Sequence, residues 1–286
     1  MTEPRSVLIT GCSSGFGREL CRVFLDRGWR VHATLRRLDE RRPELEAELA
    51  PASEPDRRAR LVFHELDVTS AEQLAAAVAA LGDEGLDGLV NNAGYGLWGA
   101  LEDISEDQLR RQFDVNVLGA AAVTRAFLPA LRARRGALVF ISSVMGRAGW
   151  PLASGYCSSK WALEGLAESL WQELRPLGVR VHLVEPGGHR TNFATNIDWA
   201  EGDSATYRAR TEAFKAFLGR TLAGSGVPPR AVVRRTERLL VKRSSRLRHQ
   251  VGSDAFMLSL LGLLPDALRL RVLGAMLRRM LFQGAT

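Results

Sequence analysis

Lysine is almost missing from this chain: of its 39 basic residues only Lys160, Lys215 and Lys242 are lysines, and the rest are arginine. Cysteine is nearly as scarce. Cys12, Cys21 and Cys157 form no CxxC pair and no zinc spacing, and the five histidines are scattered. Neither a disulfide framework nor a metal site is therefore expected. No basic segment followed by an apolar stretch opens the sequence, so a cytoplasmic protein without a secretory leader is expected. The longest uncharged run of the leucine-rich tail, Ala255 to Pro265, falls well short of the ~20 residues a membrane span needs. The net charge of +7 raises the question of nucleic acid. Its arginines are spread over the whole chain with no basic run laced with aromatics, so no nucleic-acid partner is expected.

What is present is the balance of a globular protein: 286 residues, 46% of them apolar and 25% charged. Apolar runs alternate with helical periodicities through the first two-thirds. SVLIT (6–10) precedes a helix near 15–28, and WRVHATL (29–35) precedes a charged helix. A proline-rich loop, PASEPDR, interrupts before LVFHELDV (61–68) and the helical AEQLAAAVAAL. The strand LDGLVNNAG (86–94), a long helix near 106–133, GALVFISS (136–143), a helix near 154–175 and VRVHLVEPG (179–187) complete the series. Strand–helix alternation with continuous apolar strands predicts α/β architecture, a doubly wound parallel sheet of Rossmann type. Residues 1–190 read as a dinucleotide-binding and catalytic core. Residues 191–286 read as a lid, a late helix (229–243), a late strand (246–254) and an amphipathic helical extension of the same domain.

Between the first strand and the first helix lies TGCSSGFG, with glycines at 11, 15 and 17. Bare backbone there permits tight turns and close approach of a ligand, and a helix N-terminus offers N–H groups to an anion. No Gly-Lys-Ser/Thr follows, so a P-loop is excluded and a cradle for a dinucleotide pyrophosphate is expected. At the end of the second strand, TLRRLDE puts Leu35 where an acid would bond a ribose 2′-hydroxyl, and Arg36 and Arg37 follow. A neutral residue and two guanidiniums suit a 2′-phosphate, so NADP(H) is expected ahead of NAD(H). Further on, Tyr156 and Lys160 lie four apart at a helix start and share one face. An ammonium beside a phenol whose ordinary pKa is about 10 favours the phenolate and makes the pair usable for proton transfer. Ser143 ends a predicted strand, where open α/β sheets place their ligands.

With these residues on the page, the sequence resembles the short-chain dehydrogenase/reductase family. TGCSSGFG looks like its TGxxxGxG cofactor turn, NNAG (91–94) like its strand-four motif, and EPGGHRT like its PGxxxT turn. Asn116, Ser143, Tyr156 and Lys160 match its four catalytic positions. The resemblance implies that Tyr156 exchanges a proton with the substrate oxygen and that Ser143 orients that oxygen. Lys160 would lower the tyrosine pKa and bond the nicotinamide ribose, with Asn116 holding a water behind it. It further implies cofactor contacts from Gly11, Ser13, Ser14, Gly15, Phe16, Gly17, Asp67, Val68, Asn92, Ala93, Gly94, Pro186, Gly187 and Thr191.

YCSSKWALEGLAESL looks particularly like the matching helix of 17β-hydroxysteroid and retinol dehydrogenases. Trp150, Leu152, His189, Phe193 and Trp199 fall where those proteins build pocket and lid, which implies a lipophilic carbonyl or alcohol. The same aromatics would also serve a core or a subunit contact. The family implies a homodimer or homotetramer. The arginine- and leucine-rich tail after Pro265 suits a membrane surface, packing over the cleft or packing against another subunit. A silent NADP(H)-binding sensor or scaffold on the same fold is the competing class, and the complete catalytic set argues against it.

Overall fold

The computed structural model of the chain describes residues 4–188, 197–224 and 229–281. Its strands are β1 (Ser6–Ile9), β2 (Arg30–Leu35), β3 (Leu61–Glu65), β4 (Gly88–Asn91), β5 (Gly96–Trp98), β6 (Ala137–Ile141), β7 (Arg180–Pro186), β8 (Ile197–Trp199) and β9 (Arg248–Val251). Seven of them form one parallel sheet in the order β3-β2-β1-β4-β6-β7-β9. The strand order reverses between β1 and β4, so a crevice opens at their C-terminal ends.

Side-chain alternation explains why the strands are apolar at every position. Val7 and Ile9 of β1 point into one core with Leu20 and Phe24 of α1 (Gly15–Asp26), Leu45 of α2 (Leu38–Leu49) and Leu240 of α9 (Arg230–Val241). Leu8, between them, points into the other core. There it joins Ala77 of α4 (Ala71–Leu81), Phe127 of α6 (Ala120–Arg134) and Leu163 of α7 (Ser154–Leu174). Burying a side chain such as Phe127 contributes roughly 1.5–3 kcal/mol. A third cluster caps the C-terminal edge, where Trp98, Tyr156 and Phe214 meet Leu258 and Leu273.

Four elements depart from the sequence expectation. The proline-rich loop contains a one-turn helix, α3 (Pro55–Ala59), for which Pro55 supplies a preset φ at its first position. β5 and β8 pair in parallel as a separate ribbon, Trp98 opposite Trp199; strands of three residues carry no readable period. The polar stretch before residue 220 is α8 (Arg208–Gly224), whose Phe214, Phe217 and Leu218 follow helical spacing. The long helix predicted near 106–133 is interrupted: α5 (Glu106–Phe113) passes through a π turn at Asp114–Gly119 before α6 begins. At α5 a capping box, in which Ser105 Oγ accepts from Gln108 N, anchors the chain beneath the crevice.

Four histidines sit in the sheet as two buried pairs. His32 Nδ1 lies 2.9 Å from His64 Nε2 across β2 and β3, and His249 Nε2 lies 3.4 Å from His182 Nδ1 across β9 and β7. Burial holds His64, His182 and His249 down to about 4, against an ordinary 6.5, and also lowers His32. The unfolded chain therefore binds protons that these folded imidazoles refuse. Their stabilising contribution is complete above pH 6.5 and is lost as pH falls toward 4. Urea midpoints are expected to fall across that window, and to fall less in His64→Asn; equal pH slopes for the two proteins would contradict this.

Candidate active site

The glycine turn is held by its neighbours. Gly11 has φ +71° and Gly15 φ +58°, the left-handed region where a side chain is strained. Gly17 serves a different need: a Cβ there would stand 2.3 Å from Gly11 O. Asn92 Nδ2 donates to Thr10 O (2.9 Å) and Gly11 O (3.0 Å), while Thr10 Oγ1 accepts from the backbone N–H of Asn92 and Ala93. The NNAG segment thus locks the turn from behind. Arg18 closes it in front, donating to Ser13 O (2.6 Å) while bonded to Glu44 and Glu48. No acidic residue occupies the first turn of α1, and Ser14 makes no side-chain cap there, which suits an approaching anion.

From this turn a cleft of about 1460 Å³ runs along the C-terminal edge of the sheet. Gly11, Ser13, Ser14, Gly15 and Phe16 line it, together with Asp67, Val68, Asn92, Ala93, Gly94, Pro186 and Gly187. Asp67 is held by its own turn, its Oδ1 accepting from Thr69 N and Oγ1. At one end stand Arg36, Arg37 and Arg41, beyond the buried Leu35. Arg41 was not found by sequence reading, although it follows Arg37 by one helical turn. Gly17 lies behind the wall, and Thr191, His189 and Phe193 lie outside the described residues.

Ser143, Tyr156 and Lys160 meet on the cleft floor. Ser143 follows β6 and caps a 3-10 turn, Val144–Gly146, its Oγ accepting from Met145 N at 3.2 Å. Its hydroxyl also hydrogen-bonds the Tyr156 phenol. Tyr156 and Lys160 lie on the buried face of α7, and Tyr156 stacks on Trp98 with centroids 5.8 Å apart. Lys160 Nζ donates to Ile141 O (2.9 Å) and stands 5.7 Å from the Tyr156 ring centroid. Asn116 sits behind them in the π turn, accepting from Tyr95 N and donating to Tyr95 O and Ser159 Oγ. The insertion of one residue into the helix turns this amide toward Gly94, where a Cβ would be 3.0 Å from Asn116 Oδ1.

Electrostatics here correct one expectation. Burial pushes the Tyr156 phenol above its ordinary range, against the Ser143 hydrogen bond that favours the phenolate. Burial also pushes Lys160 down to about 8, against the charge of Glu164. The expected depression of the phenol by its lysine neighbour is not seen, because burial penalises the phenolate more strongly.

The rest of the cleft is mixed: Arg111, Asp114, Asp198 and Asp254 reach its wall, beside a group of large apolar side chains. Trp150 lines it with Trp98, Met145, Phe217, Leu218, Met257, Leu258 and Met276. Helices α10 (Ser253–Leu261) and α11 (Asp266–Leu281) thus cover the crevice. Leu152 and Trp199 are not on its wall. Leu152 turns away at φ +59°, its carbonyl accepting from Gly99 N, and Trp199 packs edge-on against Phe214. Trp98 and Phe217 were missed by sequence reading, with only the helical spacing of Phe214, Phe217 and Leu218 as a signal; packing of the tail over the cleft was among its readings.

The short chain dehydrogenase profile matches residues 5–202. The chain is 43% identical over 200 residues to an estradiol 17-beta-dehydrogenase 1 of Rattus norvegicus. That match covers 68% of this chain and spans 57% of the relative. A solved short-chain dehydrogenase from Streptomyces avermitilis superposes with a TM-score of 0.79 at 32% identity, over 98% of this chain and 99% of that one. One from Burkholderia cenocepacia, in complex with NADP, superposes at 0.73 and 26% identity, over 96% and 98%.

Proposed function

This chain belongs to the short chain dehydrogenase family, and on that premise we propose that it is an NADP(H)-dependent oxidoreductase interconverting a lipophilic ketone or aldehyde and its alcohol. The observation that carries the reading is one continuous cleft, with the glycine turn and three arginines at one end, Ser143, Tyr156 and Lys160 on its floor, and a cluster of tryptophan, methionine, phenylalanine and leucine side chains beyond. The residues fit the dinucleotide: Gly15 starts α1 on the cleft wall with nothing within 4 Å of where its Cβ would stand, and the helix's first turn has neither an acidic residue nor a side-chain cap, so its N–H groups are left for a pyrophosphate. Arg36, Arg37 and Arg41 would take the 2′-phosphate, Asp67 and Val68 the adenine, and Gly187 and Thr191 the nicotinamide end. Bound there, NADP(H) gives or takes the hydride.

The chain's own groups handle the oxygen and its proton. Ser143 Oγ orients the substrate oxygen, and Tyr156 Oη gives it a proton in reduction or removes one in oxidation. Lys160 Nζ supplies positive charge beside the phenolate that forms, and Asn116 would hold a water that links Lys160 to solvent. The buried indole N–H groups of Trp98 and Trp150 have no hydrogen-bond partner, which suits a mainly apolar substrate bearing acceptor oxygens. The test is NADPH consumption against steroid-like, retinoid-like, fatty and small aromatic carbonyls, with Tyr156→Phe as control. Turnover confined to small polar sugars would overturn the substrate class. No turnover in either direction, with NADH included, would support a silent sensor or scaffold.

Two assembly readings accompany this proposal. Leu118 and Trp161 stay 60% and 46% exposed on the central helices, which supports pairing into a homodimer or homotetramer there. The outer side of the cleft cover exposes Leu263 (80%), Phe256 (62%) and Leu270 (61%) near the exposed Arg271 and Arg278. Apolar groups beside cations suit an anionic bilayer from which a lipophilic substrate could enter. Wild type is expected to float with anionic vesicles and the double variant Leu263→Glu/Leu270→Glu to stay below, with turnover of a water-soluble carbonyl unchanged. Equal flotation of both would retire the membrane contact.

A further inference from the structure

The buried face of α7 does not end at Lys160. One turn on, at the same helical position, is Glu164, only 4% exposed. A carboxylate this deep needs partners for both oxygens. Glu164 Oε2 accepts from Arg248 Nε at 3.0 Å, and the neutral Ser142 hydroxyl is the other donor facing its carboxyl group. Facing it from β7 is Glu185, 1% exposed, whose Oε2 accepts from Gln250 Nε2 at 2.8 Å and whose Oε1 has no hydrogen-bond donor. The two carboxyl groups converge on one guanidinium nitrogen, Arg248 Nε, 3.0 Å from Glu164 Oε2 and 3.6 Å from Glu185 Oε1. Two carboxylates cannot bond each other; a carboxylic acid and a carboxylate can, through one O–H.

The charge in direct contact points the same way. Arg248 also bonds Glu168 at 2.6 Å, so its single positive charge is divided among Glu164, Glu168 and Glu185. The other groups facing the pair are Arg147 after the Ser143 turn, the Ser142 hydroxyl and Lys160. We propose that Glu164 and Glu185 share one proton, and that the pair is a positioning element for Lys160 which sets how far up the pH scale its ammonium persists. The pair lies directly beneath the reaction centre: a Cβ on Gly146 would stand 2.9 Å from Glu164 Cγ and 3.2 Å from Lys160 O.

Burial, then the Glu185 charge, pushes Glu164 up to about 7, and burial raises Glu185 too. As pH rises through that range the pair releases its proton to solvent and its charge goes from −1 to −2. That extra negative charge favours the ammonium of Lys160, the step that burial alone would bring down. The functional half of this proposal rests on the oxidoreductase reading; the shared proton does not.

Two measurements test it. Infrared spectra of the wild-type protein below pH 7 should show the carbonyl stretch of a protonated buried carboxylic acid, absent from both Glu164→Gln and Glu185→Gln. The alkaline limb of kcat/KM for carbonyl reduction should move down by about half a pH unit in Glu164→Gln. It should move less in Glu185→Gln, since Glu164 is the carboxylate that acts directly on Lys160. A wild type without the protonated band, or a Glu164→Gln profile superimposable on wild type, overturns the proposal. The wild-type infrared titration needs neither a substrate nor a variant that folds, so its result stands apart from any failure to find turnover.

Discussion

Tyr156→Phe is expected to lower kcat for carbonyl reduction by about a thousandfold, within the range that a positioned proton donor contributes. The loss will be chemical rather than structural. Phenylalanine keeps the ring that stacks on Trp98 and fills the same buried space, so the third core cluster is undisturbed. What disappears is one hydroxyl and its hydrogen bond to Ser143, whose Oγ still accepts from Met145 N. Because burial holds the phenol protonated, the wild-type site is set for proton donation, and reduction is expected to fail on the alkaline side, where Lys160 loses its proton near 8. Steady-state rates over pH, beside an NADPH fluorescence titration, check both statements. A variant within about tenfold of wild type would remove the phenol from proton transfer.

The second large effect concerns cofactor choice. Replacing Arg36 and Arg37 together by serine is expected to lower kcat/KM for NADPH by about a hundredfold and to leave NADH within a few-fold. Each charge-assisted contact to phosphate is worth about 1.5 kcal/mol at a site this exposed, so two give about 3 kcal/mol, or two powers of ten. Arg37 is exposed and lies 3.4 Å from Glu40, which supports the lower end of that range. Arg41 remains in the variant and sustains part of the binding. An unchanged ratio of NADPH to NADH efficiency would show that these arginines do not read the phosphate.

The parts of this protein that were legible in the sequence are those written in local spacing. The apolar strands, the glycine turn and the Tyr156–Lys160 pair each need only a few neighbouring residues, because backbone conformation and helix periodicity act over that range. Asn116 could be located by its motif, but not the π turn that aims it, since an extra residue in a helical turn leaves no mark in a helical pattern. Arg18 and Arg41 escaped notice for a different reason: in a chain whose cations are nearly all arginine, composition hides the few that face a cleft. Leu152 and Trp199 were apolar residues in the expected segments, yet the pairing of β5 with β8 turns Trp199 onto Phe214 instead of the cleft.

The sequence by itself determined the strands, the glycine turn and the candidates for proton transfer, because each is written in spacing among near neighbours along the chain. Only the tertiary structure decided which side chains wall the cleft, how the tail covers it, and that Glu164 on a helix and Glu185 on a strand face each other behind Lys160. Those outcomes depend on which faces of distant elements come together, and on how burial reorders the proton affinities of the groups they enclose.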